Sequence, residues 1–193
     1  VAADLGSGEE GVKDLAERAT AAAGGRIDIL VNNAALLLMP KPTADIDERE
    51  LQEAFAVNVF APFLLTGLLA PAMAERGHGA IVNIGSNTGL RGSAGSAVYS
   101  GNKAILHSFT KSWADEYGPS GVRVNAVAPG PIWTPLIPAT MHEEKIKTFG
   151  EDVPLGRAGQ PAELAAAYVY FASPESSYTT GEVLGITGGK PVS

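Results

Sequence analysis

The sequence predicts a doubly wound α/β fold built on a parallel sheet, and three observations carry that prediction. Apolar runs of strand length recur at residues 27–31, 80–85, 122–128 and 182–187. Between them lie longer segments rich in Ala, Leu, Glu and Lys, the composition of helices. Runs such as Ile29-Leu30-Val31 and Ile81-Val82 are apolar without alternation, as strands are when helices cover both faces of the sheet.

The elements follow in order. A first helix is predicted over residues 8–23, with Ser7 as N-cap, Glu10 completing a capping box, Val12, Leu15 and Ala19 turned inward, and Gly24-Gly25 as terminator. A long helical region covers residues 47–76. Within it, residues 54–74 carry no formal charge, and ~20 apolar residues can cross a bilayer. Asn58, Pro62, Thr66, Gly67 and Pro71 interrupt the stretch, so it reads as a helix buried against the sheet and a partner subunit. The next helix starts near Val98 and ends before Pro119. Residues 129–159, with Pro129, Pro131, Pro135, Pro138 and Pro154 inside and Pro161 beside them, read as a loop with short helical insertions. A loop in that place, after a strand, is a candidate substrate lid. Its Trp133, Leu136, Ile137 and Met141 fit an apolar inner face or core packing equally well. Residues 188–193 read as a tail, and no internal repeat or linker divides residues 1–193.

Composition narrows the function. A chain of 193 residues with 45% hydrophobic content can bury one substantial core. With 14 Lys+Arg against 21 Asp+Glu, the net charge is -7. No basic field exists to attract nucleic acid or anionic lipid, and neither is expected as a partner. The absence of Cys excludes disulfides, thiolate nucleophiles and Cys-ligated metal, and suits a reducing cytoplasm, the expected location. No secretory signal pattern opens the sequence. His142-Glu143 begins a zinc-protease pattern, but position 146 is Ile, and no Gly-x-Ser-x-Gly elbow occurs. No metal site is expected.

Tyr99 and Lys103 are four apart in a helical pattern, which stacks them on one face. A nearby ammonium favours phenolate and would lower the tyrosine's pKa toward neutrality, making a usable acid/base. Alone, the pair also fits two residues on a solvated face. Ser86 closes an apolar strand, where open α/β sheets place their ligands, so its hydroxyl can hold a substrate oxygen. Asn58, inside an apolar helix, fits either a site residue or an amide capping a kink before Pro62.

Taken in order, Asn32-Asn33-Ala34-Ala35, Asn58, Ser86, Tyr99-Ser100-Gly101-Asn102-Lys103 and Pro129-Gly130-Pro131-Ile132-Trp133-Thr134 resemble the short-chain dehydrogenase/reductase family. The resemblance runs from Asp4 to Gly188-Gly189. It implies a Rossmann-like fold and hydride transfer between NADP or NAD and a small carbonyl or alcohol substrate. It implies Tyr99 as general acid/base, Lys103 lowering its pKa and binding the nicotinamide ribose, Ser86 orienting the substrate, and Asn58 holding a water that links Lys103 to solvent. Asp4 and Leu5 would contact adenine, Asn33, Ala34 and Ala35 would form the cofactor-facing loop, and Pro129, Gly130, Ile132 and Thr134 would lie at the nicotinamide. Residues 131–135, 157–164 and 175–178 look most like bacterial members that reduce aldehydes or ketones with NADPH, which favours NADP. The helices at residues 47–76 and 98–118 resemble the family's subunit interface and imply a homodimer or homotetramer.

The family normally opens with a strand, a Thr-Gly-x-x-x-Gly-x-Gly turn for the pyrophosphate, and a second strand-helix unit. This sequence contains none of these. It is therefore expected to be the C-terminal portion of the domain, missing its first strands, with residues 1–3 as a strand stub. Gly6-Ser7-Gly8-Glu9-Glu10-Gly11 matches Gly-x-Gly-x-x-Gly but sets two carboxylates where a pyrophosphate would sit. It reads as a helix-opening turn. The strand at residues 27–31 would lose its family neighbour and expose an apolar edge prone to association. A truncated, non-catalytic oligomerisation or binding module of the same fold is the alternative.

Overall fold

The computed structural model describes residues 1–190; the end of the predicted tail, residues 191–193, lies outside the described residues. In chain order the main elements are α1 (Glu9–Ala22), β1 (Ile29–Asn32), α2 (Glu48–Phe55), a π-helical segment (Ala56–Phe60), α3 (Ala61–Glu75), β2 (Gly79–Ile84), α4 (Thr88–Arg91), α5 (Ala97–Tyr117), β3 (Val122–Pro129), α6 (Leu136–Thr140), α7 (Glu143–Lys147), α8 (Ala162–Ala172) and β4 (Val183–Ile186). The four strands form one parallel sheet in the order β1-β2-β3-β4. Each lies within two residues of its predicted run. Parallel pairing places all their carboxyl ends along one rim, where ligands of such sheets bind.

Helices cover both faces. On one, Val12 of α1, Leu65 and Met73 of α3 and Trp113 of α5 pack on Leu30, Ile81, Val122 and Val124. On the other, Ala167 and Phe171 of α8 cover Val82 and Val127. The second cover does not extend to β1, whose Ile29 and Val31 are 48% and 44% exposed. The continuous apolar run in β1 thus has only one covered face, and the apolar edge expected from the sequence is present.

The start of the first helix differs from expectation. Gly8, not Ser7, is the N-cap of α1, at φ 84°, without a side-chain cap. The Ser7 hydroxyl instead donates to the Asp4 carbonyl at 2.6 Å, so the predicted capping box with Glu10 does not form. A capping box does close α2, where the Asp47 carboxylate accepts the Glu50 N–H and Glu50 accepts the Asp47 N–H. Glu50 also takes both oxygens to Lys41 at 2.6 Å. The long helical region is continuous from Glu48 to Glu75 and apolar enough by composition to cross a membrane. Here it packs against α1 and α5 instead, with Phe60, Phe63 and Leu68 left exposed.

A buried polar chain ties the sheet to α5. Asn32 donates to Asn83 at 2.9 Å, Asn83 donates to Thr110 Oγ1 at 2.9 Å, and Thr110 donates to the Leu106 carbonyl at 2.8 Å. Thr110→Val keeps the shape but strands the Asn83 amide. A loss of about 1–3 kcal/mol is expected, read as a fall of several degrees in Tm.

Candidate active site

Loops leaving β1, β2 and β3 converge on the carboxyl rim, and α5 runs beneath them. Their backbones are tied together: the Gly85 N–H donates to Val127 O at 2.8 Å, Asn87 N–H to Pro129 O at 3.0 Å, and Gly130 N–H to Ile186 O at 2.9 Å. Gly130 is required at its position, because a Cβ there would lie 2.7 Å from the Thr187 backbone. Asn33 and Ala34 emerge exposed after β1, and Ala35 is half-buried.

Asn58 holds this first loop. It lies in the π-helical segment, almost fully buried, where its Oδ1 accepts the Leu36 N–H at 2.7 Å and its Nδ2 donates to Leu36 O at 2.8 Å. A single amide thus pins the backbone that follows Asn33-Ala34-Ala35. The structure gives the Asn58 side chain this anchoring role, and π turns recur at functional positions for such reasons.

Ser86 is buried at the exit of β2, with its hydroxyl 3.0 Å from Thr88 Oγ1. Lys103 is 1% exposed, and its ammonium donates to Ile84 O at 2.6 Å. It lies over the Tyr99 ring, 5.6 Å from the centroid. Burial pushes the Lys103 pKa down to about 8. Burial also raises the Tyr99 phenol, and the Ser86 hydroxyl beside it pulls the other way. The structure therefore corrects one electrostatic expectation. Lys103 sits a turn from Tyr99 as the spacing requires, but it donates a hydrogen bond to Ile84 O, and burial holds Tyr99 in the protonated phenol form.

The remaining predicted residues are spread along the rim. Ile132 bridges Gly159, Trp133 N–H donates to Gly159 O at 2.8 Å, and the Trp133 and Phe149 rings are 6.2 Å apart. Thr134 accepts the Ile137 N–H where the chain enters α6. Ile137 is core, whereas Trp133 and Leu136 are exposed, so the predicted apolar lid divides between the two readings. Asp4 accepts the Gly6 N–H at 2.8 Å, and Leu5 packs against the core beneath α1. That leaves the exposed Asp4, not Leu5, as the more available of the two for a ligand. Among the described residues the Gly6–Gly11 run offers no anion seat: it opens α1 with Glu9 and Glu10.

His107 was not singled out by the sequence. It is 5% exposed on α5, and its Nε2 accepts the Ser86 N–H at 3.3 Å. The available signal was its spacing, one further turn beyond Tyr99 and Lys103.

The chain is similar to known proteins over nearly all of its length. A family model described as enoyl-(acyl carrier protein) reductase matches residues 2–190. NADPH-dependent aldehyde reductase 1 of Arabidopsis thaliana is 46% identical over 169 residues, 87% of this chain and 58% of that protein. Glucose and ribitol dehydrogenase of Daucus carota is 42% identical over 189 residues, 98% of this chain and 64% of that protein. The chain thus spans less than two thirds of the length of these curated relatives. Among solved structures, a short chain dehydrogenase/reductase family protein superposes with a TM-score of 0.87 at 41% identity, covering 98% of this chain and 75% of that one. A 3-ketoacyl-(acyl-carrier-protein) reductase from Brucella melitensis complexed with NADH gives 0.89 at 33% identity, covering 98% and 76%.

Proposed function

The chain belongs to the short-chain dehydrogenase/reductase family, and from that premise we propose that it carries the proton-transfer machinery of an NAD(P)-dependent oxidoreductase acting on a small carbonyl or alcohol. One observation carries the reading. A lysine 1% exposed lies over the ring of a half-buried tyrosine whose phenol feels a serine hydroxyl, all at the carboxyl rim of a parallel sheet. Burying an ammonium is costly, and such perturbed groups cluster at functional sites.

The residues present fit the nicotinamide end of a dinucleotide. Lys103 commits one of its three protons to Ile84 O and keeps two for ribose hydroxyls. Asn33 and Ala34 stand exposed where the chain leaves the carboxyl end of β1. When bound, the cofactor supplies or accepts the hydride. Ser86 orients the substrate oxygen, and Tyr99, as the protonated phenol, donates its proton to that oxygen in the reducing direction. Lys103 then holds a second proton close to Tyr99, and Asn58 keeps the cofactor-side loop in register through Leu36.

NADP is the favoured cofactor, supported by the NADPH-dependent aldehyde reductase among the relatives. The exposed Phe60, Phe63 and Leu68 on and beside α3 support a homodimer or homotetramer through that surface. The acidic, Cys-free composition supports a cytoplasmic setting. A non-catalytic binding module of the same fold is the second reading, favoured by the carboxylates of Glu9 and Glu10 in the first turn of α1, which repel a phosphate there. Titrating NADPH and NADH into the folded chain, followed by tryptophan and nicotinamide fluorescence, separates the two. Saturable binding, tighter for NADPH, is expected; a folded protein that binds neither cofactor would support the module.

A further inference from the structure

We propose that His107 is a positioning residue, whose Nε2 accepts the Ser86 backbone N–H and so fixes the turn that presents the Ser86 hydroxyl beside Tyr99. The inference rests on the reading of Ser86 as a substrate-orienting group. In a parallel sheet the N–H groups of alternate residues face opposite neighbours. The Gly85 and Asn87 N–H groups go to Val127 and Pro129 of β3. Ser86 faces the other way, toward β1, but that strand's pairing with β2 ends at Asn32 opposite Asn83. A buried N–H without a partner is costly. His107 supplies the acceptor from the helix below, at 3.3 Å.

The fit around the ring is built into the sequence. A Cβ at position 85 would lie 2.0 Å from His107 Nε2, and one at position 89 would lie 2.8 Å from the Lys103 backbone and 3.0 Å from His107 Cε1. Gly85 therefore makes the space that the imidazole fills, and Gly89 lets the turn that carries Ser86 lie close on both the α5 backbone and the ring. Accepting through Nε2 requires a neutral ring with its proton on Nδ1. Burial, then Lys103 and Lys111, hold the His107 pKa down to about 4, so the neutral form persists at neutral pH.

The test needs neither cofactor nor substrate. Long-range nitrogen–proton NMR on the folded protein at neutral pH is expected to show His107 as the Nδ1–H tautomer. In His107→Leu, the Ser86 amide is expected to exchange with solvent about tenfold faster relative to the amides of β3. His107→Gln, whose side-chain oxygen can accept, is expected to restore most of the protection. An Nε2–H tautomer, or equal Ser86 exchange in wild type and His107→Leu, would overturn the proposal; should the Leu variant not fold, the wild-type tautomer and the Gln variant decide. If the tautomer and exchange results hold while Tyr99→Phe keeps its reductase activity, the catalytic reading fails and the positioning of Ser86 by His107 stands.

Discussion

In the protein that carries this chain, Tyr99→Phe is expected to slow carbonyl reduction by about 10²–10⁴-fold, the usual contribution of a positioned general acid. The substitution removes one hydroxyl and leaves the ring over which Lys103 lies. Loss of one hydroxyl leaves the ring packing in place, so the Tm is expected to stay within a few degrees of wild type. The rate is read from loss of nicotinamide absorbance with a short-chain aldehyde, alongside a thermal melt. A well-folded variant losing less than tenfold would remove Tyr99 from the chemistry.

Lys103→Met is expected to abolish reduction to a similar extent while costing little stability at neutral pH, because the wild-type lysine is itself an expense to the fold. Its pKa falls from 10.5 to about 8 on burial. Below that value the folded chain must keep a buried cation. As pH rises from about 8 to about 10.5, the folded chain gives up a proton that the unfolded chain retains, so the wild type gains stability through this window. At about 1.4 kcal/mol per pKa unit the gain is about 3 kcal/mol. Methionine forgoes the bond to Ile84 O, about 1–3 kcal/mol at every pH, but has no proton to lose. The variant's Tm relative to wild type is therefore expected to drop by several degrees between neutral and strongly alkaline solution. A constant difference would mean that the ammonium is not held dry as the structure has it.

Strand positions were legible because parallel strands covered by helices leave uninterrupted apolar runs, and 80–85 and 122–128 became β2 and β3 almost unchanged. The site was legible where chemistry repeats at helical spacing: Tyr99 and Lys103 share a face, and Ser86 ends a strand beside them. Tertiary hydrogen bonding was not. Ser7 looked like an N-cap because its local pattern allowed it, yet the Asp4 carbonyl claimed its hydroxyl. Asn58 could be marked as anomalous in an apolar helix, but only three dimensions show that it grips Leu36, 22 residues away. Spacing sets how near Tyr99 and Lys103 lie and says nothing of burial, which here raises the Tyr99 phenol against the pull of the Ser86 hydroxyl. His107 has in sequence only its spacing, a turn beyond Lys103; its meaning comes from the Ser86 N–H, which has no strand partner and donates to the imidazole instead.

The most direct test is the pH dependence of carbonyl reduction, measured as kcat/KM. Tyr99 as a proton donor and Lys103 as a cation must both be protonated, so the rate is expected to be level near neutrality and to fall as the solution passes about pH 8, where Lys103 begins to discharge. A rate that climbs with pH across the same interval would mean that the phenolate, not the phenol, does the work, and would contradict the mechanism drawn from this site.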